Sequence, residues 1–159
     1  MHLEELPALN RFERAERQEK TRMVKIALCC AVRAATVGTN GLFICTNGVD
    51  GQYAEGREWL YDVACLQYAD EEFPFPLARG YMAAECEWGR EQSVFDDFQK
   101  LLVARADVRI MVFDGTCIGD DKFVVMESLI QGYRHTQTGD SYLLAAWSGN
   151  EFEYHVIRT

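Results

Sequence analysis

The sequence predicts an α/β protein with a mixed β-sheet flanked by helices, and three observations support that prediction. A long helical segment occupies residues 9–35. Apolar runs typical of strands then follow one another without an intervening helix, as in an antiparallel sheet. Farther along, a helical segment separates two strand-like runs, and such a crossover implies that those two strands are parallel. Both kinds of strand pairing in one sheet make the sheet mixed, with helices on both sides.

The individual elements follow from hydrophobic periodicity and from turn residues. The first helix is charged in its first half and apolar in its second, so we expect it to dock through the second half. The unbroken apolar run over 108–113 is typical of a central strand that is covered on both faces. The predicted elements are a helix over 9–35, strands over 42–45, 59–68 and 78–88, a helix over 91–105, a strand over 108–113, a helix over 122–133, and strands over 142–147 and 152–157.

The size of the chain and its apolar segments bound its class. A chain of 159 residues is expected to form a single domain over 1–159 with a proper core. Its apolar runs are shorter than a membrane span, and its first residues, Met-His-Leu-Glu-Glu, lack the features of a secretory signal. We therefore expect a cytoplasmic protein with no membrane partner. The six cysteines form no Cys-x-x-Cys pair and are interpreted as free thiols.

The chain is acidic overall, but its basic residues gather in the first helix. The formal net charge of −9 argues against a nucleic-acid partner, since contacts to phosphates supply much of that affinity. Local distribution matters more than the sum. Acidic residues interleave with several of the basic ones, which favours a solvated face with i,i+3 and i,i+4 pairs over a surface that follows phosphates. The basic residues are Arg11, Arg14, Arg17, Lys20, Arg22, Lys25 and Arg33.

Three carboxylates lie in apolar surroundings on two consecutive predicted strands. Glu85 and Glu87 share one face of the strand over 78–88, because alternate residues of a strand point the same way. Asp62 is embedded in the apolar run of the preceding strand. An ionised carboxylate is costly in such a place unless something compensates its charge. Because Mg²⁺ takes oxygen ligands from a few carboxylates, these three residues are candidate metal ligands.

Each of the three acids also has a purely structural explanation. Glu85 and Glu87 would act on an edge strand as charges that suppress aggregation. Asp62 would cap a turn or pair with an arginine such as Arg57 or Arg79. For a single acid this explanation is favoured, because surface acids are common. For all three acids, placed on successive strands ahead of a helix, the sequence favours a functional site.

The order of elements and the positions of these acids resemble the PD-(D/E)XK nuclease superfamily, which has the restriction-endonuclease-like fold. The resemblance covers residues 9–113. The family core is an α-β-β-β-α-β unit with an acid on the second strand and an acid–x–lysine motif on the third. Asp62 matches the first acid and Glu85 the second, whereas Glu87 stands where the motif has lysine. Some restriction enzymes of this fold carry Glu-x-Glu there, and other branches carry the lysine on the following helix, where Lys100 is a candidate.

The resemblance implies a Mg²⁺ or Mn²⁺ ion held by Asp62 and Glu85, with Glu87 as a further ligand or as the base that orients the attacking water. Lys100 would stabilise negative charge on the phosphate in the transition state. The alternative for Lys100 is a surface ion pair with Asp96, one helical turn earlier. The predicted catalytic residues are therefore Asp62, Glu85, Glu87 and Lys100, and the first three are the predicted metal ligands.

The predicted function is metal-dependent hydrolysis of phosphodiester bonds in nucleic acid, with DNA favoured over RNA. A homodimer is left open, since two-fold dimers are the commonest soluble assembly. The alternative is a nuclease-like fold that has lost catalysis and acts as a protein-interaction or regulatory module, which the acidic charge and the missing motif lysine favour. A weaker third hypothesis is a binding protein whose acidic face mimics nucleic acid or covers a basic partner.

Overall fold

The architecture is taken from a computed structural model that describes residues 12, 15–57, 59–70 and 76–159. The start of the first predicted helix, with Arg11 and Arg14, lies outside these residues. A single 3₁₀ turn, Gly115–Cys117, follows the fourth strand. The helices and strands are α1 Arg17–Ala35, β1 Leu42–Thr46, β2 Val63–Tyr68, β3 Leu77–Glu87, α2 Glu91–Val103, β4 Val108–Asp114, α3 Lys122–Gly132, β5 Ser141–Trp147 and β6 Phe152–Arg158.

The six strands form one mixed sheet in the order of the chain, from β1 to β6. Strands β1, β2 and β3 pair antiparallel, as do β5 and β6. Strands β3, β4 and β5 pair parallel, because α2 and α3 return the chain to the same end of the sheet. The predicted α/β fold with a mixed sheet between helices is confirmed, and its first six elements run α-β-β-β-α-β.

Two apolar layers sandwich the sheet. On one face, the buried Val24 and Cys29 of α1 pack against alternate residues of the strands such as Val63, Met82 and Cys86. On the other face, α2 and α3 bury residues at helical spacing against the other set of alternate strand residues. The buried residues of those two helices are Val94, Phe98, Leu101, Met126 and Ile130. None of the helices within the described residues is long and apolar enough to cross a membrane.

Three basic residues of α1 form ion pairs with acids that lie outside the helix. The sequence predicted pairs one turn apart within the helix, whereas these three cations reach acids in later segments. This difference arises because the apolar half of α1 packs on the sheet and brings its flanking cations over loop residues. The pairs are Arg22–Asp50 at 3.4 Å, Lys25–Asp62 at 2.9 Å and Arg33–Glu55 at 2.6 Å.

The second strand begins later than the sequence predicted. The strand expected over 59–68 forms only from Val63 to Tyr68. Leu60 has a φ of 75°, in the left-handed region that interrupts an extended chain. Trp59 and Tyr61 form only an isolated bridge with each other. Asp62 therefore lies in the bend that leads into β2, at the edge of the sheet rather than within it.

Candidate active site

The predicted site residues gather at the edge of the sheet where β3 ends. Glu85 and Glu87 are at the carboxyl end of β3, and Asp62 immediately precedes β2. Because β2 and β3 are antiparallel and Val63 pairs with Ala84, the next pair outward brings Asp62 opposite Glu85. The fold thus brings the first two predicted ligands together from separate strands.

Asp62 is held by three elements at once. Its Oδ1 lies 2.9 Å from the Nζ of Lys25 on α1, and its Oδ2 accepts a 2.8 Å hydrogen bond from the backbone N–H of Cys86. Its carbonyl oxygen accepts a 2.6 Å bond from the Thr46 hydroxyl. The partner of Asp62 is therefore the buried Lys25, and neither of the arginines suggested by the sequence takes that place. Of those two, Arg79 pairs with Asp107 instead.

Among the carboxyl groups of the site, Glu85 has the largest pKa shift. The residue is 4% exposed, and its Oε1 makes no hydrogen bond with any described residue. Burial, and to a smaller extent the negative charge of Asp62, raise the pKa of Glu85 from 4.5 to about 8. Lys100 and a hydrogen bond from the backbone N–H of Asp62 oppose the increase. Its surroundings therefore oppose ionisation of Glu85.

Lys100 reaches the site from α2. Its Nζ lies 3.6 Å from Oε1 of Glu85 and 2.6 Å from Oδ1 of Asp97. The lysine is half-exposed, whereas the Asp97 side chain is only 18% exposed. The hydrogen bond to Asp97 and the nearby charge of Glu85 raise the pKa of Lys100, so its ammonium is charged. The surface pair predicted with Asp96 does not form, since Asp96 accepts a hydrogen bond from Gln92 instead.

Glu87 turns toward the loop that follows β3. Burial raises its pKa, while hydrogen bonds from the backbone N–H groups of Gly89 and Trp88 oppose that increase. The negative charge of Asp97 and a hydrogen bond with that residue also raise the pKa of Glu87. A Cβ on Gly89 would overlap Oε1 of Glu87, so any other residue there would displace this carboxylate from its position.

The three predicted metal ligands, Asp62, Glu85 and Glu87, are not arranged as a group that could hold a metal ion. Within residues 12, 15–57, 59–70 and 76–159, no group of three or more His, Cys, Asp or Glu side chains is arranged to hold a metal ion. Asp62 and Glu85 lie at neighbouring strand ends, and Oε1 of Glu85 makes no hydrogen bond although Nζ of Lys100 lies 3.6 Å from it. Mg²⁺ commonly binds through one or two carboxylates and keeps several waters, so these two acids remain the candidate ligands.

Two residues that sequence reasoning did not include complete the cluster, Lys25 and Asp97. Lys25 is 6% exposed and is the only charge in the apolar stretch 23–32 of α1, which was an available sign of a buried partner. Asp97 lies three residues before Lys100 on the same helix face, a spacing that the choice of Asp96 overlooked. With them, the edge where β3 ends carries two lysines and four carboxyl groups. These are Lys25 and Lys100, and Asp62, Glu85, Glu87 and Asp97.

The chain was also compared with known proteins. It has no significant match among protein-family models, curated protein sequences or solved structures.

Proposed function

We propose that this protein is a metal-dependent nuclease that hydrolyses phosphodiester bonds at the edge of the sheet carrying Asp62 and Glu85. One observation carries the proposal: Lys100 of α2 lies 3.6 Å from the buried carboxyl group of Glu85, which stands beside Asp62. This is the combination of two acids and a helix-borne lysine that the resemblance to the PD-(D/E)XK superfamily implies. The α-β-β-β-α-β order of the first six elements supports the same proposal.

The chain's own residues would hold the ion and orient the phosphate. Asp62 and Glu85 would bind Mg²⁺ or Mn²⁺, for which Glu85 must release its proton. The bound ion supplies Lewis-acid polarisation of the phosphate and a water of lowered pKa. Lys100 is exposed enough to turn from Asp97 toward a phosphate oxygen and stabilise its developing charge. Glu87, whose pKa is raised by burial, would act as the base that accepts a proton from the attacking water.

The expected substrate follows from the resemblance. DNA is the expected substrate in preference to RNA. The edge that carries Asp62, Glu85, Glu87 and Asp97, here called the acidic edge, would repel a phosphate backbone in the absence of a divalent ion. We therefore expect the binding of substrate to depend on the metal as strongly as its cleavage does.

The proposal is tested by cleavage of single-stranded DNA, duplex DNA and RNA in Mg²⁺ and in Mn²⁺. The wild type should cleave at least one of these, and Glu85→Gln should lower the rate by about a hundredfold or more, since the loss of a metal ligand removes the polarised phosphate and water together. The matched control is Glu127→Gln, which alters a half-exposed acid of α3 paired with His155. It should cleave like the wild type. No cleavage by the wild type in either metal, or equal cleavage by Glu85→Gln, would overturn the proposal.

A second candidate is a nuclease-like fold that binds another protein and has no catalytic activity. The observation that favours it is the buried Lys25, whose ammonium already neutralises Asp62 at 2.9 Å. The ion pairs of Asp62 and Glu85 also run to helices on opposite faces of the sheet, α1 and α2. If the lysine is a permanent substitute for the metal, Lys25→Met should create metal binding that the wild type lacks. If the wild type binds metal, this candidate is excluded.

A further inference from the structure

A cavity lies at the opposite edge of the sheet from Glu85. Its volume is about 760 Å³, within the range of sites for small ligands. The first residues of β3, β4 and β5 form its floor, and the loops before β4 and β5 form its walls. Gly80 lines this cavity and precedes Glu85 by five residues along β3, which separates the two places by roughly 16 Å.

The cavity is basic although the whole chain carries a formal charge of −9. Three arginines and a histidine line it, against two aspartates. Each aspartate is matched to one arginine, Asp107 to Arg79 at 2.6 Å and Asp140 to Arg109 at 3.0 Å. The remaining arginine, Arg105, is exposed and forms no ion pair with any described residue. The lining therefore has an excess of one positive charge before His135 is counted.

Arg109 is a buried residue of this lining, and its side chain is held in place by neighbouring groups. The residue is 7% exposed, its Nε donates to the carbonyl oxygen of Ala104 at 3.1 Å, and its guanidinium lies over the ring of Tyr142. Its Nη1 forms the ion pair with Oδ1 of Asp140 at 3.0 Å, although the two atoms are not aligned as a hydrogen bond. A guanidinium has five N–H donors, so an anion in the cavity would accept from those that Ala104 and Asp140 leave free.

The walls of the cavity are fixed before any ligand arrives. A Cβ on Gly80 would lie 2.4 Å from the carbonyl oxygen of Arg105, and the N–H of Asp107 donates to the carbonyl of Gly80 at 3.0 Å. This close approach pins the loop that carries Arg105 against β3. On the other side, the N–H of Gln137 donates to Oδ2 of Asp140 at 2.9 Å and closes the turn before β5. A preformed cavity avoids the cost of ordering loops when a ligand binds.

The rim of the cavity adds aromatic surface. The rings of Tyr133 and His135 lie edge to face with their centroids 5.6 Å apart, and both residues line the cavity. His135 is exposed, so a planar ligand group can stack on its face. An anionic group between arginines and a planar group on an aromatic rim are the two parts of a nucleotide.

From these features we propose that the cavity binds a mononucleotide, with its phosphate between Arg105 and Arg109 and its base against Tyr133 and His135. The proposal does not depend on the proposed nuclease activity, because the cavity shares no residue with the edge that carries Glu85. The guanidinium groups match the paired oxygens of a phosphate, and the volume accommodates the nucleoside.

The experiment is a calorimetric titration of the full chain with adenosine 5′-monophosphate, adenosine and inorganic phosphate. The wild type should bind the monophosphate with a Kd below about 1 mM, and adenosine should bind at least about tenfold more weakly. Inorganic phosphate should compete with the monophosphate. Arg105→Glu should weaken binding by at least about tenfold and Arg105→Gln by less, since the first substitution reverses the charge and the second removes it.

Arg134→Glu is the matched control, because Arg134 lies between Tyr133 and His135 in sequence and is exposed but does not line the cavity. It should bind the monophosphate within about twofold of the wild type. The proposal is overturned if the wild type binds no monophosphate at about 10 mM, if adenosine binds equally well, or if Arg134→Glu weakens binding as much as Arg105→Glu. Binding of an oligonucleotide without binding of the mononucleotide would also overturn it, in favour of a nucleic-acid surface.

Discussion

The two edges of the sheet differ in how their charges are compensated. At the edge where β3 ends, four carboxyl groups crowd together with two lysines, and the buried Glu85 responds with a pKa of about 8. At the opposite edge, each aspartate is matched to an arginine and the loops are pinned by backbone contacts. The acidic edge, with Asp62, Glu85, Glu87 and Asp97, thus has more carboxyl groups than lysines, whereas the arginine edge, with Arg79, Arg105 and Arg109, has one more arginine than aspartates.

The largest expected effect comes from removing the buried cation of the acidic edge. Lys25→Met should lower the free energy of unfolding by about 3 kcal/mol, because it leaves Asp62 without the charge that offsets its desolvation. Lys100→Met is the control: that lysine is 53% exposed, and its loss should cost under about 1 kcal/mol. Urea denaturation measures both.

A double variant sharpens this result. Asp62→Asn introduced into Lys25→Met should recover part of the lost stability, since no unpaired charge then remains. Equal losses in Lys25→Met and Lys100→Met would mean that the buried pair has no special role in the acidic edge.

The next effect is a pH dependence from Glu85. Its pKa is higher in the folded chain than the ordinary 4.5, so the proton it binds stabilises the fold fully below about pH 4.5. That stabilisation is lost as the pH rises through about 8. In metal-free buffer Glu85→Gln should therefore be more stable than the wild type at pH 9 by about 3 kcal/mol or more, and nearly equal at pH 4.

Thermal or urea unfolding across this pH range gives the measurement for Glu85. Glu151→Gln, which changes an exposed acid of the turn between β5 and β6, should retain the wild-type pH profile. A wild-type profile in Glu85→Gln as well would show that the buried carboxyl group does not carry the proton.

The strands and the two glutamates of the acidic edge could be predicted from the sequence, but the residue that pairs with Asp62 could not. Periodicity located every strand of the sheet, and strand alternation correctly placed Glu85 and Glu87 side by side. The sequence could not show that Leu60 takes a positive φ, which shortens β2 and moves Asp62 into a bend. Nor did it show that Lys25 is the partner of Asp62, because that contact depends on how α1 crosses the sheet.

The cluster of arginines at the opposite edge could not be predicted from the sequence either, because it also depends on how separate elements pack. Arg79, Arg105 and Arg109 are spread over β3, a loop and β4, and no local pattern unites them. Only the parallel pairing of β3 and β4, which aligns Met82 with Val108, brings the arginines to one cavity.

The smallest expected effect on stability concerns the loop pinned at the arginine edge. Gly80→Ala should lower the free energy of unfolding by about 1.5 kcal/mol, because a Cβ there would overlap the carbonyl oxygen of Arg105 at 2.4 Å. Gly132→Ala is the control, since a Cβ at that position meets nothing within 4 Å. It should leave stability unchanged or raise it by about 0.5 kcal/mol. Similar losses in both variants would show that the loop is not pinned through Gly80.

The central claim, that the acidic edge lacks a cation which a divalent metal supplies, is tested most directly by calorimetric titration with Mn²⁺. The wild type should bind about one ion with a Kd of about 1 mM or tighter, and more tightly at pH 8.5 than at pH 6 because a proton competes for Glu85. Asp62→Asn and Glu85→Gln should each abolish binding, while Glu127→Gln should preserve it. Absence of binding by the wild type at about 10 mM, or unchanged binding in both ligand variants, would contradict the claim.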